Sequence, residues 1–534
     1  MKQYIIKAGI MALSVLPVAC TGNYLEINTN PYEVGKDQMG QDGYDVSSAM
    51  TAVCASVVST DVNTAQFTDC LLGGPMGGYY STTGAFAKTI DNFNPSDDWT
   101  RVFMESQKII PTLYTNLNLL KSLTDDPVIL AMANVVKVAA MHRVTDTYGP
   151  IPYSQIGVGG KLGVPYDSQE KVYDQMFIEL DECIGVLTEN MNSIVSSNAD
   201  PVYGGNVEKW CRFANSLKLR LAMRIVYADK DKAQARISEV LAHQIGAFVS
   251  NDDNAYLQPI AFGEKGNPIY TAVKYNQVQG SRTGGDTHAA ADITSYMNAY
   301  NDPRRPEYFI PSEFADKAYE YVGVLVSAVK PPLSKTGRKY SGVNISSSDP
   351  IMWMNASEVA FLKAEAAVLG LIAGSAEEFY NEGIRLSFEQ WGVAGYENYI
   401  NNDEKAPVNY VDPAGGENRP DVLTDLAVKW DDSASVEVKQ ERVLIQKWIA
   451  NYHLGNEAWA DHRRTGYPKF FPASAEGNKS GNIVDNELGA RRMPYPQSES
   501  SKNYDNYRQA CDELLKGRDN MATRVWWDCK PINK

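Results

Sequence analysis

Histidine is scarce, with five in 534 residues, and none of His142, His243, His288, His453 and His462 falls at a ligand spacing. The chain has no HExxH helix, no GxSxG elbow, no Walker-type phosphate loop and no EF-hand loop. No CxxC pair occurs, which removes zinc ribbons and thioredoxin-like sites. The word Asn251-Asp252-Asp253-Asn254 is all that a cation such as calcium is offered, and it lacks a full ligand set; no metal or cofactor is expected. Beyond the N-terminus no window reads as a membrane-spanning run. Positive charge is in deficit: 50 Lys and Arg against 65 Asp and Glu, a net −15. Such a surface repels nucleic-acid phosphates and anionic lipid, so no nucleic acid is expected as a partner and any membrane attachment should be covalent.

The N-terminus supplies a route to one. Lys2 and Lys7 flank an apolar run, Ile5 to Val18, in the layout of a secretory signal. It ends in Leu16-Pro17-Val18-Ala19-Cys20, which resembles a bacterial lipobox with Pro17 where Leu is usual. The expected division is a signal peptide over 1–19, a lipid-modified Cys20 opening a tether over 20–45, and one body over 46–534. Loss of Lys2 and Lys7 takes the charge from −15 to −17. Of the six other cysteines, Cys183 and Cys211 fall in helical patterns as small buried groups, and Cys54 with Cys70 is a candidate bridge.

What the body has in quantity is helical periodicity. Apolar residues recur at helical spacing over Val46–Phe67, from Trp99 to Leu120 with Pro111 read as a kink, from Ile129 to Met141 behind the cap pair Asp126-Pro127, from Val172 to Leu187, and from Val207 behind Asn206. A shorter helix follows over Ala233–Ile245. The word from Leu71 to Tyr80 carries four glycines and a proline in eight residues and is read as a loop. Residues 251–350 turn loop-rich, with Gly, Asn, Asp, Pro and Tyr. Helices resume at Asn355 and at Ala376, and again at Glu441, where Gly455 is read as the stop. None of these helices can bury its apolar face alone, so stacking is required. The expected parts are therefore a helical 46–250, a loop-rich 251–350 and a helical 351–534.

The second abundance is aromatic. Tyr (31) and Trp (9) together outnumber Phe (15) more than two to one. Rings with a polar tip suit sugars, which present C–H faces and hydroxyl rims. On loops, the candidate ligand-binding residues are Tyr79, Tyr80, Tyr275, Asn276, Arg282 and Asp286, chosen for stacking and hydrogen-bonding capacity. The cluster Trp459, Asp461, Arg463, Arg464, Tyr467 could form a catalytic or phosphate grip; a structural knot of guanidinium groups on rings is favoured.

Several words carry a resemblance: QKWIA, EAWADHRRTGYP, RRMPYPQSE, YGPIPY, KWCRFANSLKLRLAMRI, NDPRRPEYF, EVAFLKAEAAVLG, FYNEGIRLSFEQWG and the tail RVWWD. In this order along the chain they resemble the SusD/RagB family of outer-membrane nutrient-binding lipoproteins. The resemblance implies a mainly α fold of tetratricopeptide-like stacked helical pairs in a right-handed superhelix, with a large loop-rich ligand-binding portion. It implies a non-catalytic lipoprotein at the outer face of the outer membrane, which captures oligosaccharide for a SusC-like TonB-dependent transporter. A RagB-like peptide binder is the alternative within the family. An exported helical glycoside hydrolase is the alternative outside it, and would need two carboxyl groups facing one cleft.

Overall fold

The computed structural model describes residues 43–84, 88–105, 109–157 and 163–532. The expected signal peptide, Cys20 and most of the tether lie outside them. The first part is built from α1 (Tyr44–Cys54), α2 (Ile109–Leu123), α3 (Pro127–Tyr148), α4 (Gln169–Glu189), α5 (Val207–Arg224) and α6 (Lys230–Ala242). Neighbours in this series pack against each other, α3 on α4, α4 on α5 and α5 on α6, while α1 lies on α2. After a loop-rich stretch holding α7 (Ala291–Ala299), the stacking resumes with α8 (Ala356–Val368), α9 (Ala376–Gln390), α10 (Val436–Ala450) and α11 (Gly455–Thr465). This is a mainly helical, tetratricopeptide-like body. Its starts are encoded locally. Asp126, Ser168, Asn206, Asn355, Ser375 and Ser435 each accept a hydrogen bond from a first-turn N–H, which relieves the orphan donors of a helix end.

The loop-rich portion contributes three two-stranded antiparallel ribbons. β1 (Tyr80–Thr82) pairs with β3 (Thr287–Ala289), β2 (Ala255–Leu257) with β6 (Ile351–Met354), and β4 (Phe309–Ile310) with β5 (Gly342–Val343). The first two ribbons join the loop-rich portion to chain outside it, at 80–82 and 351–354, while the third closes within it.

Five local expectations are corrected. Pro111 lies in the first turn of α2, where its missing N–H costs no hydrogen bond, so it opens the helix rather than kinking it. The glycine-rich word is helical: a π-helix over Gln66–Gly73 runs into a turn at Gly74–Met76. Its glycines serve close approach, since a Cβ on Gly455 would lie 2.3 Å from the carbonyl carbon of Gly73, and one on Gly77 would lie 2.5 Å from the carbonyl oxygen of Gly455. Gly455 therefore starts α11 instead of ending α10. Cys54 and Cys70 are free buried thiols, and burial pushes both well above the usual thiol range. Finally, α3 is long and apolar enough to cross a membrane, which the reading of the later chain did not foresee. It is a core helix here: most of it is buried, and its Lys137 pairs with Glu179 of α4 at 2.7 Å.

The charged cluster near residue 460 is structural. The Arg463 guanidinium sits 3.7 Å from the Trp459 ring centroid and donates to the carbonyls of Asp146 (2.6 Å) and Arg491 (2.9 Å). Arg464 grips Glu365 with two bonds of 2.7 and 2.8 Å, tying α11 to α8. The tail closes on the same knot, with Trp527 buried and its Nε1 donating to Asp146 Oδ1 at 2.9 Å. In NDPRRPEYF, Asp302 and Arg304 form a buried pair at 2.6 Å, capped by the Phe388 and Tyr399 rings.

Candidate functional site

A cleft of about 500 Å³ opens where the loop-rich portion meets the helical frame. Four rings line it: Tyr80 at the start of β1, Tyr256 on β2, Trp391 just past α9, and His453 in the turn between α10 and α11. Polar groups from the loop before β6 complete the wall, namely Asn344, Ser346 and Asp349, with Glu307 and Gln390 beside them. The rings are backed by a second aromatic layer. Tyr308 stacks on Tyr452 at 4.5 Å and 6°, and meets Trp391 at 4.6 Å. His453 holds a left-handed backbone (φ 84°) that brings its ring over Tyr452, 4.3 Å between centroids. Its Nδ1 is bonded to the Tyr80 hydroxyl. Burial pushes the imidazole down to about 3, so at neutral pH it is an uncharged wall of the cleft.

Two polar atoms of the wall, Gln390 Oε1 and Trp391 Nε1, are buried without a hydrogen-bond partner among the described residues. The Gln390 amide rests its nitrogen on Met352 Sδ at 3.5 Å. Next to the cleft a narrow space of about 30 Å³ is lined by Asp69, Asp146 and Glu457 together with Arg143, Arg220 and Arg463. Its carboxylates face guanidinium groups, and its volume suits a water molecule rather than a sugar. Among the described residues no group of three or more His, Cys, Asp or Glu could hold a metal ion. In the Asn251–Asn254 word, Asp253 spends Oδ2 on the backbone N–H groups of Val249 (2.8 Å) and Ser250 (3.1 Å).

The expected site residues separate into two groups. Tyr79 and Tyr80 do not form an exposed stacking platform. Tyr79 is fully buried, stacked on Trp448 at 5.6 Å and donating to the Trp448 carbonyl at 2.5 Å. The glycines around it that suggested a loop instead let it sink into the core. Tyr80 is almost as deeply buried, though it borders the cleft. Replacing the pair by Ala would hollow the core and lower the melting temperature.

The other four lie on one excursion, 275–286, away from the cleft. Its base is closed by Asp286 N–H to the Tyr275 carbonyl at 2.8 Å. Only glycine fits at 285, where a Cβ would lie 1.9 Å from the Tyr275 oxygen. Asn276, at φ 60°, donates to Asp286 Oδ2 at 2.7 Å, while burial raises the Asp286 carboxyl. Tyr275 and Arg282 point outward, 57% and 75% exposed. The structure thus joins Asn276 to Asp286 and displays the other two.

Sequence reasoning missed Tyr256, Trp391, Gln390, Glu307 and His453 as cleft residues. Some signal existed. Glu307 belongs to the NDPRRPEYF word, and Gln390 and Trp391 end FYNEGIRLSFEQWG.

Comparison with known proteins places the whole arrangement. The family model described as "Susd and RagB outer membrane lipoprotein" matches residues 26–528. A crystallised SusD homolog from Bacteroides uniformis is 52% identical, with a TM-score of 0.88 over 91% of this chain and 100% of that one. A SusD homolog from Bacteroides thetaiotaomicron is 35% identical, with a TM-score of 0.82 over 91% and 100%. A chitin-binding SusD homolog from Flavobacterium johnsoniae is 34% identical, with a TM-score of 0.81 over 91% and 99%. No curated protein sequence matches. The chain belongs to the SusD/RagB family of outer-membrane lipoproteins, whose members bind nutrients rather than transform them.

Proposed function

We propose that this lipoprotein captures oligosaccharide in the aromatic cleft and hands it, unaltered, to a SusC-like TonB-dependent transporter in the outer membrane. The observation that carries the reading is the cleft wall itself. Flat rings from Tyr256 and Trp391 stand beside amide, hydroxyl and carboxyl groups, which is the pairing that sugar rings require. The chitin-binding relative supports glycan as the ligand class. The outward Tyr275 and Arg282, with Asn276 and Asp286 holding their loop, are proposed as accessory ligand contacts. Metal and cofactor have no part in the proposed mechanism.

Trp391→Ala is expected to weaken glycan binding at least tenfold in calorimetric titration, since one stacked aromatic face contributes about 1 kcal/mol beyond its buried area. Unchanged affinity would remove the cleft from the reading. Release of shorter sugars on incubation with a glycan panel would instead establish the hydrolase alternative, and binding of peptides alone the RagB-like one.

The anchor is proposed at Cys20, with the chain held at the outer face of the outer membrane. Cys20→Ala should leave the protein soluble after cell lysis. Persistence in the membrane fraction through a high-salt wash would rule the lipid out, because the acidic surface gives no electrostatic hold.

A further inference from the structure

The cleft has a charge of one sign. Among the described residues that line it there is no Lys and no Arg, whereas Asp69, Glu307 and Asp349 all face it. Asp69 is neutralised from behind by the Arg143 guanidinium at 2.5 Å. The other two are not. Glu307 is exposed and has no cation within ion-pair distance among the described residues. Asp349 gives Oδ2 to the Ser346 N–H at 2.7 Å and likewise meets no cation there. The only imidazole among the described lining residues, His453, is uncharged at neutral pH. Rim carboxylates beside Trp391 and Tyr256 make an environment that stabilises a cation twice, by Coulomb attraction and by the ring faces.

We propose, resting on the glycan reading above, that the cleft selects amine-bearing glycans, those with deacetylated amino sugars, and turns acidic glycans away. An ammonium on the sugar would meet Glu307 and Asp349 while its ring lies on the aromatic wall. A uronate would face the same carboxylates with nothing to pair it. Both interactions are solvent-accessible, so the discrimination is modest and sensitive to salt.

The test compares tetrasaccharides with one β-1,4 backbone and different substituents: glucosamine, N-acetylglucosamine, glucose and glucuronic acid. Titrations are run at pH 6, where the amine is protonated, at low salt and again in 1 M NaCl. The glucosamine tetramer is expected to bind about fivefold tighter than the glucose tetramer at low salt, with the ratio falling towards one at high salt. Glu307→Gln combined with Asp349→Asn should bring the amine-to-neutral affinity ratio to about one at low salt, whatever the change in absolute affinity for the glucose tetramer. Both substitutions keep shape, and the amide oxygen introduced by the second still accepts from the Ser346 N–H. Equal binding of the amine and neutral tetramers, or a uronic tetramer binding as well as the neutral one, would overturn charge selection and leave the glycan reading standing. Binding of none of the four, with a lysine-containing peptide bound instead, would overturn both.

Discussion

Arg464→Ala is expected to destabilise the protein by about 3–5 kcal/mol, the usual cost of removing one partner of a buried ion pair. The guanidinium is essentially inaccessible, and it serves Glu365 through two bonds and Asp461 Oδ1 through a third at 3.0 Å. Burial works against its charge, but Glu365 and Asp461 outweigh that and hold it protonated. Without it, Glu365 keeps, among the described residues, only the Gln440 amide at 2.7 Å. Asp461 keeps Lys447 at 2.7 Å, so the damage concentrates on Glu365. The companion double change, Arg464→Met with Glu365→Leu, removes both charges and should recover most of the loss. Urea denaturation is the sensitive readout. With an unfolding entropy near 2.1 cal/mol/K per residue, a chain of this length shifts its Tm by only about 1 °C per kcal/mol. A single-mutant loss below about 1 kcal/mol would show that the knot does not carry the frame.

Asp292→Asn is expected to do the reverse, stabilising the protein at alkaline pH. Asp292 opens α7 with its carboxyl buried and Oδ1 accepting from the Phe471 N–H at 2.8 Å. Burial pushes its pKa up to about 7, against the lesser pull of that N–H and of the Asp292 N–H, Arg419 and Lys330. The sign follows from proton binding. The folded state holds this proton more tightly than the unfolded chain, whose carboxyl titrates near 3.9. The favourable contribution is complete below about pH 4 and is lost as pH rises to about 7. Above that, forcing the charge into the core costs up to about 4 kcal/mol, three pKa units at 1.36 each. Asn keeps the acceptor for Phe471 and carries no charge. The gain should therefore be largest at pH 8 and vanish by pH 4 in paired urea titrations. An equal gain at both pH values would point to packing and not to the proton.

These two residues differ in how legible they were. Arg464 stood in a word whose residue types suggested a guanidinium knot, and the knot formed as favoured over a catalytic grip. Asp292 carried no signal, because its environment is made by Phe471, nearly two hundred positions away. The same division runs through the site. Asn276 and Asp286 are ten residues apart on one loop and were both named as ligand contacts, but that they bond to each other emerged only in the structure. The cleft draws Tyr80, Tyr256, Glu307, Asn344, Trp391 and His453 from six separate segments. No window of sequence contains two of its rings. Tyr79 and Tyr80 show the opposite error. Glycine next to tyrosine looks like a displayed loop, yet here Gly74 leaves room for the buried Tyr80 ring, where a Cβ would lie 2.4 Å from Cδ2.

The sequence by itself determined the helical body, the starts of α3 and α5 at Asp126 and Asn206, the acidic surface and the family. Each follows from local periodicity, from caps that bond within one turn, or from the order of words along the chain. Only the tertiary structure decided which rings face solvent, which charges cancel in the core and which remain at the cleft rim. Those properties depend on the burial and pairing of side chains brought together by ribbons and helix contacts of long range, and a side chain's chemistry is set by what finally surrounds it.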